Sequence, residues 1–388
     1  MGPDAATGES VVLGAEVLVP GSDFLVQDGA RLLLLIGILA TVIAVVVRLV
    51  RGRRSRLERL GRQRRPRPIG VAVAASLAVS GLLLTVVTWP PRFVVPEMSE
   101  LPRLLPEDAL FYRTVTDLPA SSASDRQIAS QNSMPFQASF RGTVEQGIVW
   151  GVPFNLVDSD TPMVDVEITL YPETSYPGPY PISDPAYIEG MPTFHTDQHY
   201  LAVDVERRTA WELISATNWF GRWQGSAGAS WSMDSTDYPA GSTIAARLPL
   251  LPGTITYDEV ADGEIGHVIL GSSETTARGR FQWPALGADG ISDDPDAPPM
   301  GSWLRLSADT DLSGLGPQAQ VIARAAQRYG IILSDTGPGF NVRGTVDHRW
   351  DEADLGTLSS LTADDFEVLD ATGVMVSTDS MAARPPGA

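Results

Sequence analysis

The stretches Tyr257-Asp-Glu259 and Gly263-Glu-Ile-Gly-His267 supply three carboxylates and an imidazole within eleven residues. Carboxylate pairs at a suitable separation hydrolyse glycosidic bonds, with one group as the acid and the other as the base or nucleophile. An extended chain would place Glu264 and His267 on opposite faces, so a turn must bring them together. We identify Glu264, Glu259 and His267 as candidate catalytic residues. The alternative is that these side chains solvate a helix turn or make structural hydrogen bonds.

The segment His195-Thr-Asp-Gln-His199 places two imidazoles and a carboxylate at alternate positions. In a strand, residues i, i+2 and i+4 share a face, so these side chains would lie together. Such a group can bind zinc or another divalent metal. The candidate metal ligands are Asp197, His199 and the more distant His267, and His199 is also a candidate catalytic partner of Glu264. The alternative is a hydrogen-bonded polar cluster without a metal, so a divalent metal is an optional cofactor and no other cofactor is indicated.

Five large aromatic side chains lie within twenty-one residues among Gly and Ser. They are Trp211, Trp219, Phe220, Trp223 and Trp231. Exposed Trp faces stack on sugar rings and anchor protein interfaces, although many Trp side chains are core residues. We predict that at least one of Trp219, Trp223 and Trp231 lines an exposed ligand-binding groove. Glu189 and Glu212 are further ligand-binding candidates.

These residues lie on short alternating or β-branched runs that turn signals separate. The runs are residues 147–157, 163–171, 200–205, 210–215, 254–257, 267–270, 303–308 and 331–333. Pro317, an apolar stripe and Gly330 predict one helix, and residues 351–361 predict a weaker second one. The pattern predicts a mainly β domain, a sandwich or jelly roll with one or two short helices.

Two transmembrane α-helices are predicted to precede this domain, because residues 31–50 and 69–89 each supply the ~20 apolar residues that a bilayer-spanning helix needs. The loop between them holds nine Arg and one Glu, which indicates a cytoplasmic location. A two-pass plasma-membrane protein follows, with the lipid bilayer as its first partner; a cleaved signal peptide is the alternative. The predicted segments are an extracytoplasmic tail (1–30), the spans (31–50 and 69–89), the Arg-rich cytoplasmic loop (51–68), a Pro-rich linker (90–107), a β-rich extracytoplasmic domain (108–371) and a disordered tail (372–388).

Charge and composition exclude several classes of function. Residues 1–68 hold eleven Arg and six acidic residues, a net charge of +5. The whole chain has a net charge of −19, so the remaining 320 residues carry a net charge of −24. Because so acidic a body repels phosphate backbones, nucleic acid is excluded as its partner. The absence of Cys excludes disulfides and thiolate chemistry. Phosphate-binding Gly-rich loops, Gly-x-Ser-x-Gly elbows and HExxH motifs are also missing, which argues against nucleotide chemistry and common hydrolase architectures.

From Asp108 to Asp370 the chain resembles an uncharacterised family of secreted or surface-attached bacterial β-rich proteins common in soil phyla. The stretches that carry the resemblance are Trp150–Asp158, Pro177–Ile182, Asp197–His199 with Val203-Asp204, Leu250–Gly253, Tyr257–Val260 with Gly263–Ile265 and His267, Pro298–Gly301, and Tyr329-Gly330 leading to Asp347 and Trp350. Members tend to occur in envelope and glycan-processing contexts, so the resemblance implies such a setting and no particular reaction. This chain departs from the family pattern at Ser334-Asp335-Thr336-Gly337, where an Asp-Asn-Gly turn is expected, and in its membrane hairpin.

Three hypotheses about function follow from these patterns. The first is a membrane-anchored domain that recognises a cell-envelope or environmental polysaccharide and, in its catalytic form, hydrolyses it. The second is a non-catalytic module that binds other envelope proteins. The third is a metal-dependent hydrolase.

Overall fold

The computed structural model of the chain describes residues 98, 101–142, 144–145, 148–190 and 196–387. Several predicted features lie outside these residues: the extracytoplasmic tail (1–30), both membrane spans, the Arg-rich loop and His195. Among the described residues, no helix combines the length and the hydropathy that crossing a bilayer requires. The membrane hairpin therefore stays a prediction.

Short strands and four short α-helices form the described part of the chain. The helices are α1 (Ser124–Ala129), α2 (Tyr257–Asp262), α3 (Pro317–Arg328) and α4 (Glu352–Gly356). The strands are β1 (Phe136–Ala138), β2 (Val144–Glu145), β3 (Ile148–Val149), β4 (Phe154–Leu156), β5 (Met163–Val164), β6 (Val166–Ile168), β7 (Tyr180–Pro181), β8 (Tyr200–Asp204), β9 (Thr209–Ile214), β10 (Thr217–Trp219), β11 (Arg222–Gly225), β12 (Ala227–Ser232), β13 (Ala240–Gly241), β14 (Ile269–Ser273), β15 (Trp303–Leu306), β16 (Ile331–Thr336), β17 (Phe340–Val342) and β18 (Phe366–Val368). The prediction of a mainly β fold is confirmed, whereas four helices form in the described residues rather than one or two.

A six-stranded mixed sheet in the order β1-β17-β14-β16-β15-β18 is the central layer. Side chains on a strand alternate between faces, and the buried residues of β16 follow this rule. Ile331 and Leu333 pack in a core with Ile322 of α3, whereas Ile332 packs in a second core on the other face. The sheet is therefore covered on both faces.

A five-stranded sheet in the order β13-β12-β9-β8-β4 supplies the other side of that second core. Leu201 and Val203 of β8 share the core with Ile332, whereas Tyr200 and Ala202 point to a third core beneath the smaller sheets. All five residues of β8 are buried. The start of β8 is thus a rigid position for the side chains just before it.

Helix α3 forms where the sequence predicts it. Pro317 lies in the first turn, and the buried face includes Ala319, Ile322 and Ala326. Gly330 follows the helix at φ +77°, and a Cβ there would lie 2.6 Å from the Leu304 carbonyl oxygen. Only glycine adopts this conformation beside the sheet without strain, so the predicted stop is confirmed.

The predicted second helix is shorter than residues 351–361. The Asp351 side chain accepts hydrogen bonds from the backbone N–H groups of Ala353 and Asp354 and starts α4, and Thr357–Ser360 then forms a 3-10 turn. The predicted run at residues 254–257 is not a strand, because Thr256 caps α2, which begins at Tyr257.

Buried residues lie beyond both predicted ends of the β domain. Leu104 and Leu105 of the predicted linker are buried, and their N–H groups donate to the Tyr112 hydroxyl. In the predicted disordered tail, Val374 and Met381 are buried in the same core as Leu105. Residues of this core therefore range from Met98 to Ala383.

Candidate functional site

One described cluster contains a carboxylate group, an imidazole and a second carboxylate close together: Glu189, Asp197 and His199. Their potential ligand atoms all lie within 4.8 Å of one another. Of the predicted metal ligands, Asp197 and His199 are therefore together. Glu189, predicted as a ligand-binding residue, takes the third place in the cluster, and His267 does not belong to it.

Backbone hydrogen bonds on both sides hold this cluster in place. The Glu189 N–H donates to the His199 carbonyl (2.9 Å), and the His199 N–H donates to Glu189 Oε2 (3.3 Å). The Ser215 N–H, just after β9, donates to the Asp197 carbonyl (2.8 Å). Gln198 has φ +54°, so the segment turns here and does not continue β8 as a regular strand. Asp197 and His199 are thus brought together by a turn, not by the strand face that their spacing predicted.

The His199 imidazole is the most unusual group in the cluster. Its side chain is 0% exposed, and neither Nδ1 nor Nε2 has a hydrogen-bond partner among the residues that the structure describes. Buried polar groups are nearly always paired, and an unpaired one costs about 1–3 kcal/mol. Asp197, by contrast, has a side chain that is 56% exposed. The cluster is therefore buried on the imidazole side and open to solvent on the Asp197 side.

Arg343 and Asp335 form the inner wall of the cluster. Arg343 Nη2 lies 2.9 Å from Asp335 Oδ2 and 3.8 Å from Asp197 Oδ2. Asp335 Oδ1 also accepts a hydrogen bond from the Ala245 N–H (3.0 Å). Three carboxylates that share one guanidinium, those of Glu189, Asp197 and Asp335, carry a net charge of −2 when ionised. The Arg343 guanidinium lies closest to Asp335, so it neutralises the charges of Glu189 and Asp197 less completely.

Burial changes the protonation of these groups. Burial raises the pKa of Glu189 to about 7 and that of Asp335 to about 6, although Arg343 opposes both shifts. Burial, with Arg343 nearby, holds the pKa of His199 well below 6.5. The imidazole is therefore neutral near pH 7 and has one nitrogen lone pair to donate.

A neutral imidazole with two carboxylates is a donor set for first-row divalent cations such as Zn²⁺ or Mn²⁺. Tetrahedral ligation at about 2.1 Å places ligand atoms about 3.4 Å apart. The observed limit of 4.8 Å means that the side chains need to approach by little more than about 1 Å. The donor atoms of these three residues therefore fit a divalent cation after a small approach.

Glu259 and His267 contact each other, but as a structural pair. His267 Nε2 lies 3.1 Å from Glu259 Oε1, and Nδ1 lies 2.8 Å from the Val268 carbonyl oxygen. Both ring nitrogens face acceptors, so both carry protons and the ring is an imidazolium. Glu259 Oε2 also accepts from the Thr256 N–H and hydroxyl, in the capping box that starts α2. The catalytic role predicted for this pair is not supported.

The same pair gives the fold a pH dependence. Burial opposes both charges, but the ion pair outweighs burial, so the pKa of His267 is raised above 6.5 and that of Glu259 is lowered below 4.5. The His267 contribution is complete below pH 6.5 and is lost as the pH rises through its folded pKa, whereas the Glu259 contribution is complete above pH 4.5 and is lost as the pH falls through its folded pKa. We expect the pair to stabilise the fold most between these two values. Burial raises the pKa of Tyr112, a further titratable group near Glu259, above 10, which is outside this range.

Urea unfolding of the full chain in detergent, followed by Trp fluorescence, tests this expectation. The Glu259→Gln variant should lose about 1.5 kcal/mol of unfolding free energy at pH 5.5, with a smaller loss at pH 8.5. Asp262→Asn, near the end of the same helix, is the matched control and should show no such pH dependence. A Glu259→Gln loss that is equal at the two pH values would contradict the imidazolium assignment.

Glu264 is separate from the pair. Its side chain is 64% exposed and forms an ion pair with Arg328 at the end of α3. Because Glu259 and Glu264 turn to different partners, the predicted pair of catalytic carboxylates does not share a cleft. His199 lies in the cluster with Glu189 and Asp197, so it does not pair with Glu264 either.

Two further ligand-binding candidates, Glu212 and Trp231, are core residues that bind each other. The Trp231 Nε1–H and the Leu250 N–H donate to Glu212 Oε1 (both 2.9 Å), and the Thr243 hydroxyl donates to Oε2 (2.6 Å). Glu212 is 1% exposed and Trp231 is 4% exposed. The polar groups of both residues are hydrogen-bonded inside the protein, so the structure does not support the ligand-binding role predicted for them.

The remaining predicted tryptophans differ in exposure. Trp223 is partly buried, and its ring lies 6.0 Å from that of Tyr200. Trp219 is 43% exposed, and its neighbour Phe220 is 66% exposed. Trp219 is therefore the only one of the three predicted ligand-binding tryptophans that presents a substantial surface to solvent.

Sequence reasoning did not identify Arg343 and Asp335. Arg343 follows β17 and Asp335 lies on β16, and each strand pairs with β14. The loop that carries Glu189 meets these strands only through the tertiary fold. No spacing along the chain signals the arrangement, apart from the departure from the family pattern at Ser334–Gly337.

Comparisons with profiles of known protein families, with curated proteins and with solved structures gave no match. The predicted family resemblance therefore stays a prediction.

Proposed function

We propose that the chain is a plasma-membrane protein whose extracytoplasmic β domain binds a divalent cation through Glu189, Asp197 and His199. The observation that supports this proposal most strongly is the buried His199 imidazole, which has no hydrogen-bond partner in the described part of the chain and lies beside two carboxylates. A cation would give its lone pair a partner and would neutralise the two carboxylates that Arg343 leaves uncompensated.

A divalent cation also accounts for the charge of the cluster better than the alternatives do. A hydrogen-bonded polar cluster, the alternative at the sequence level, requires partners for the imidazole nitrogens, and none is present among the described residues. A protonated His199 does not account for the cluster either, because burial and Arg343 both oppose protonation of its imidazole. When Glu189, Asp197 and Asp335 are all ionised, a charge of +2 balances the net −2 that they carry together with Arg343.

Three protein ligands with an exposed side are typical of hydrolytic metal centres and not of closed structural ones. A cation in such a site lowers the pKa of water and polarises a substrate oxygen. The exposed carboxylate of Asp197 marks the side from which a substrate would enter. We propose metal-dependent hydrolysis of an extracytoplasmic polymer, and the substrate class that we propose is an envelope polysaccharide.

Membrane anchorage is the other part of the proposal. It is supported by the two apolar segments, by the nine Arg of the intervening loop and by the acidity of the rest of the chain. The cation site does not depend on anchorage, because it lies entirely in the β domain.

Metal analysis of the full-length protein in detergent tests the cation site. After chelation and dialysis against Zn²⁺ or Mn²⁺, the wild type should retain one ion per chain. Asp197→Asn and Glu189→Gln should weaken binding by about 100-fold, because the loss of a direct ligand costs at least as much affinity as the loss of a residue that only supports the ligands. His348→Ala, which changes one of the other imidazoles, is the matched control and should bind normally.

Activity is tested separately with the same proteins. Release of reducing ends from envelope polysaccharides should require the added cation and should be lost in Asp197→Asn but not in His348→Ala. Normal binding without release from any polysaccharide would retain the cation site and reject the hydrolase. The absence of a bound ion in the wild type would reject both.

A further inference from the structure

A β-hairpin of the small three-stranded sheet ends in two exposed aromatic residues. Trp219 of β10 pairs with Arg222 of β11, so Phe220 and Gly221 form a two-residue turn. Both turn residues have positive φ, +51° and +84°, as in a type I′ turn. A Cβ added at Gly221 would meet nothing within 4 Å, so the tip projects into open space.

Phe220 is an unfavourable residue for this position. The first position of a type I′ turn favours Asn, Asp or Gly, and a bulky residue with φ near +50° is a conformational outlier. Phe220 gains little packing in return, since 66% of it is exposed. Local strain that the fold does not use is a pointer to function.

The surroundings extend the apolar surface at this end of the sheet. β6 and β11 are parallel and pair Val166 with Trp223, so the residues preceding each strand lie at the same end. Met163, three positions before Val166, is 43% exposed. Arg222, beside the tip, is exposed as well. Aromatic side chains flanked by a cation are the combination found at the interface between a membrane and water.

The length of the chain before the folded body limits where the body can lie. The second predicted span ends at Trp89, and Met98 is already buried in the core. Nine Cα–Cα steps separate them and reach at most about 30 Å. A compact body of about 290 residues has a radius of gyration of about 19 Å. A tether this short keeps the body beside the bilayer and lets it present one face to the lipid.

We propose that the Trp219-Phe220 tip, with Arg222 beside it, inserts into the headgroup layer of the bilayer that holds the chain's own N-terminal helices. This inference rests on the membrane anchorage of the proposed function and is independent of the cation site. The aromatic rings would lie at the headgroup level, and Arg222 would pair with lipid phosphate. The contact would fix the orientation of the domain on the membrane.

Site-specific labelling tests the proposal directly, because the chain has no cysteine. Phe220→Cys and, separately, Trp219→Cys are labelled with an environment-sensitive dye in the full chain and reconstituted into phosphatidylcholine/phosphatidylglycerol nanodiscs. The matched control is Phe281→Cys, at a Phe that is 51% exposed on a different loop. Dye at positions 219 and 220 should shift to shorter wavelength and be quenched by headgroup-depth spin-labelled lipid, whereas dye at 281 should not.

The Phe220→Asn variant keeps the test independent of folding. Asn suits the turn, so the midpoint of thermal unfolding should rise by about 2 °C. In the same variant, the blue shift of dye at position 219 should fall by at least half. A tip that is more stable and contacts lipid less is the result that a purely structural role for Phe220 does not produce.

Three results would overturn the proposal. The first is dye at 219 and 220 that stays as water-exposed as dye at 281 while the chain floats with liposomes. The second is dye that responds to polysaccharide fragments and not to lipid, which would make the tip a glycan-binding surface. The third is a chain that does not float with liposomes, which would reject anchorage itself and is recognised separately from a failure of the tip.

Discussion

Zinc should raise the free energy of unfolding of the metal-free chain by about 2.7 kcal/mol when its free concentration is 100 times the dissociation constant. The increase follows from mass action, because the cation binds the folded cluster and not the unfolded chain. His199→Leu removes the nitrogen donor and should abolish the increase. Urea titrations of both proteins with and without Zn²⁺, followed by Trp fluorescence, measure the difference.

The same substitution makes a second result observable without metal. Both nitrogens of His199 are buried and have no partner among the described residues, so leucine of similar volume removes an unpaired polar group from the interior. The unfolding free energy of metal-free His199→Leu should therefore rise by about 1 kcal/mol. His348→Leu is the matched control and should leave the zinc effect intact. A His199→Leu protein that zinc still stabilises would contradict the assignment of the site.

Replacing Glu212 by leucine should destabilise the fold by about 3–5 kcal/mol, because three buried donors lose their acceptor at once. These donors are the Trp231 indole, the Thr243 hydroxyl and the Leu250 N–H. Each unsatisfied group retains its full desolvation cost. Urea unfolding of the full chain in detergent measures the loss.

Two comparisons sharpen the Glu212 experiment. Glu206 is an exposed glutamate in the connection between β8 and β9, the strand that carries Glu212. Glu206→Leu should change stability by no more than about 0.5 kcal/mol. Glu212→Gln keeps one acceptor oxygen and should fall between the two. A Glu212→Leu loss similar to that of Glu206→Leu would mean that the carboxylate is not a structural acceptor and would restore it as a ligand-binding candidate.

Local signals in the sequence predicted elements whose cause is local. Helix α3 has its proline, its apolar stripe and its terminal Gly330 in the sequence, and it forms with those limits. The buried runs that become β8 and β9 were predicted within a residue or two. Which strands pair depends on contacts between distant segments, and no local pattern carries that information.

The Glu259–His267 pair shows how a local signal was interpreted as catalytic. Thr256 and Glu259 have the spacing of a capping box, which indicates the start of a helix. Clustering of acidic residues along the chain suggested catalysis instead. In the fold, Glu259 caps α2 and neutralises His267, while Glu264 turns outward to Arg328.

The cation cluster was predictable in part. The two-residue spacing of Asp197 and His199 placed them together, although a turn at Gln198 and not a strand achieves it. Glu189 comes ten residues earlier and meets His199 through a backbone hydrogen bond that spacing does not reveal. Arg343 arrives from the far end of the chain, so its role as a counter-charge depends on the tertiary fold.

The most direct test of the cation site is X-ray absorption at the zinc edge of the full chain loaded with one equivalent of Zn²⁺. We expect one imidazole nitrogen at about 2.0–2.1 Å and carboxylate oxygens at about 2.0–2.2 Å, with the imidazole scattering lost in His199→Leu. A zinc shell without imidazole, or one that His199→Leu leaves unchanged, would contradict the account.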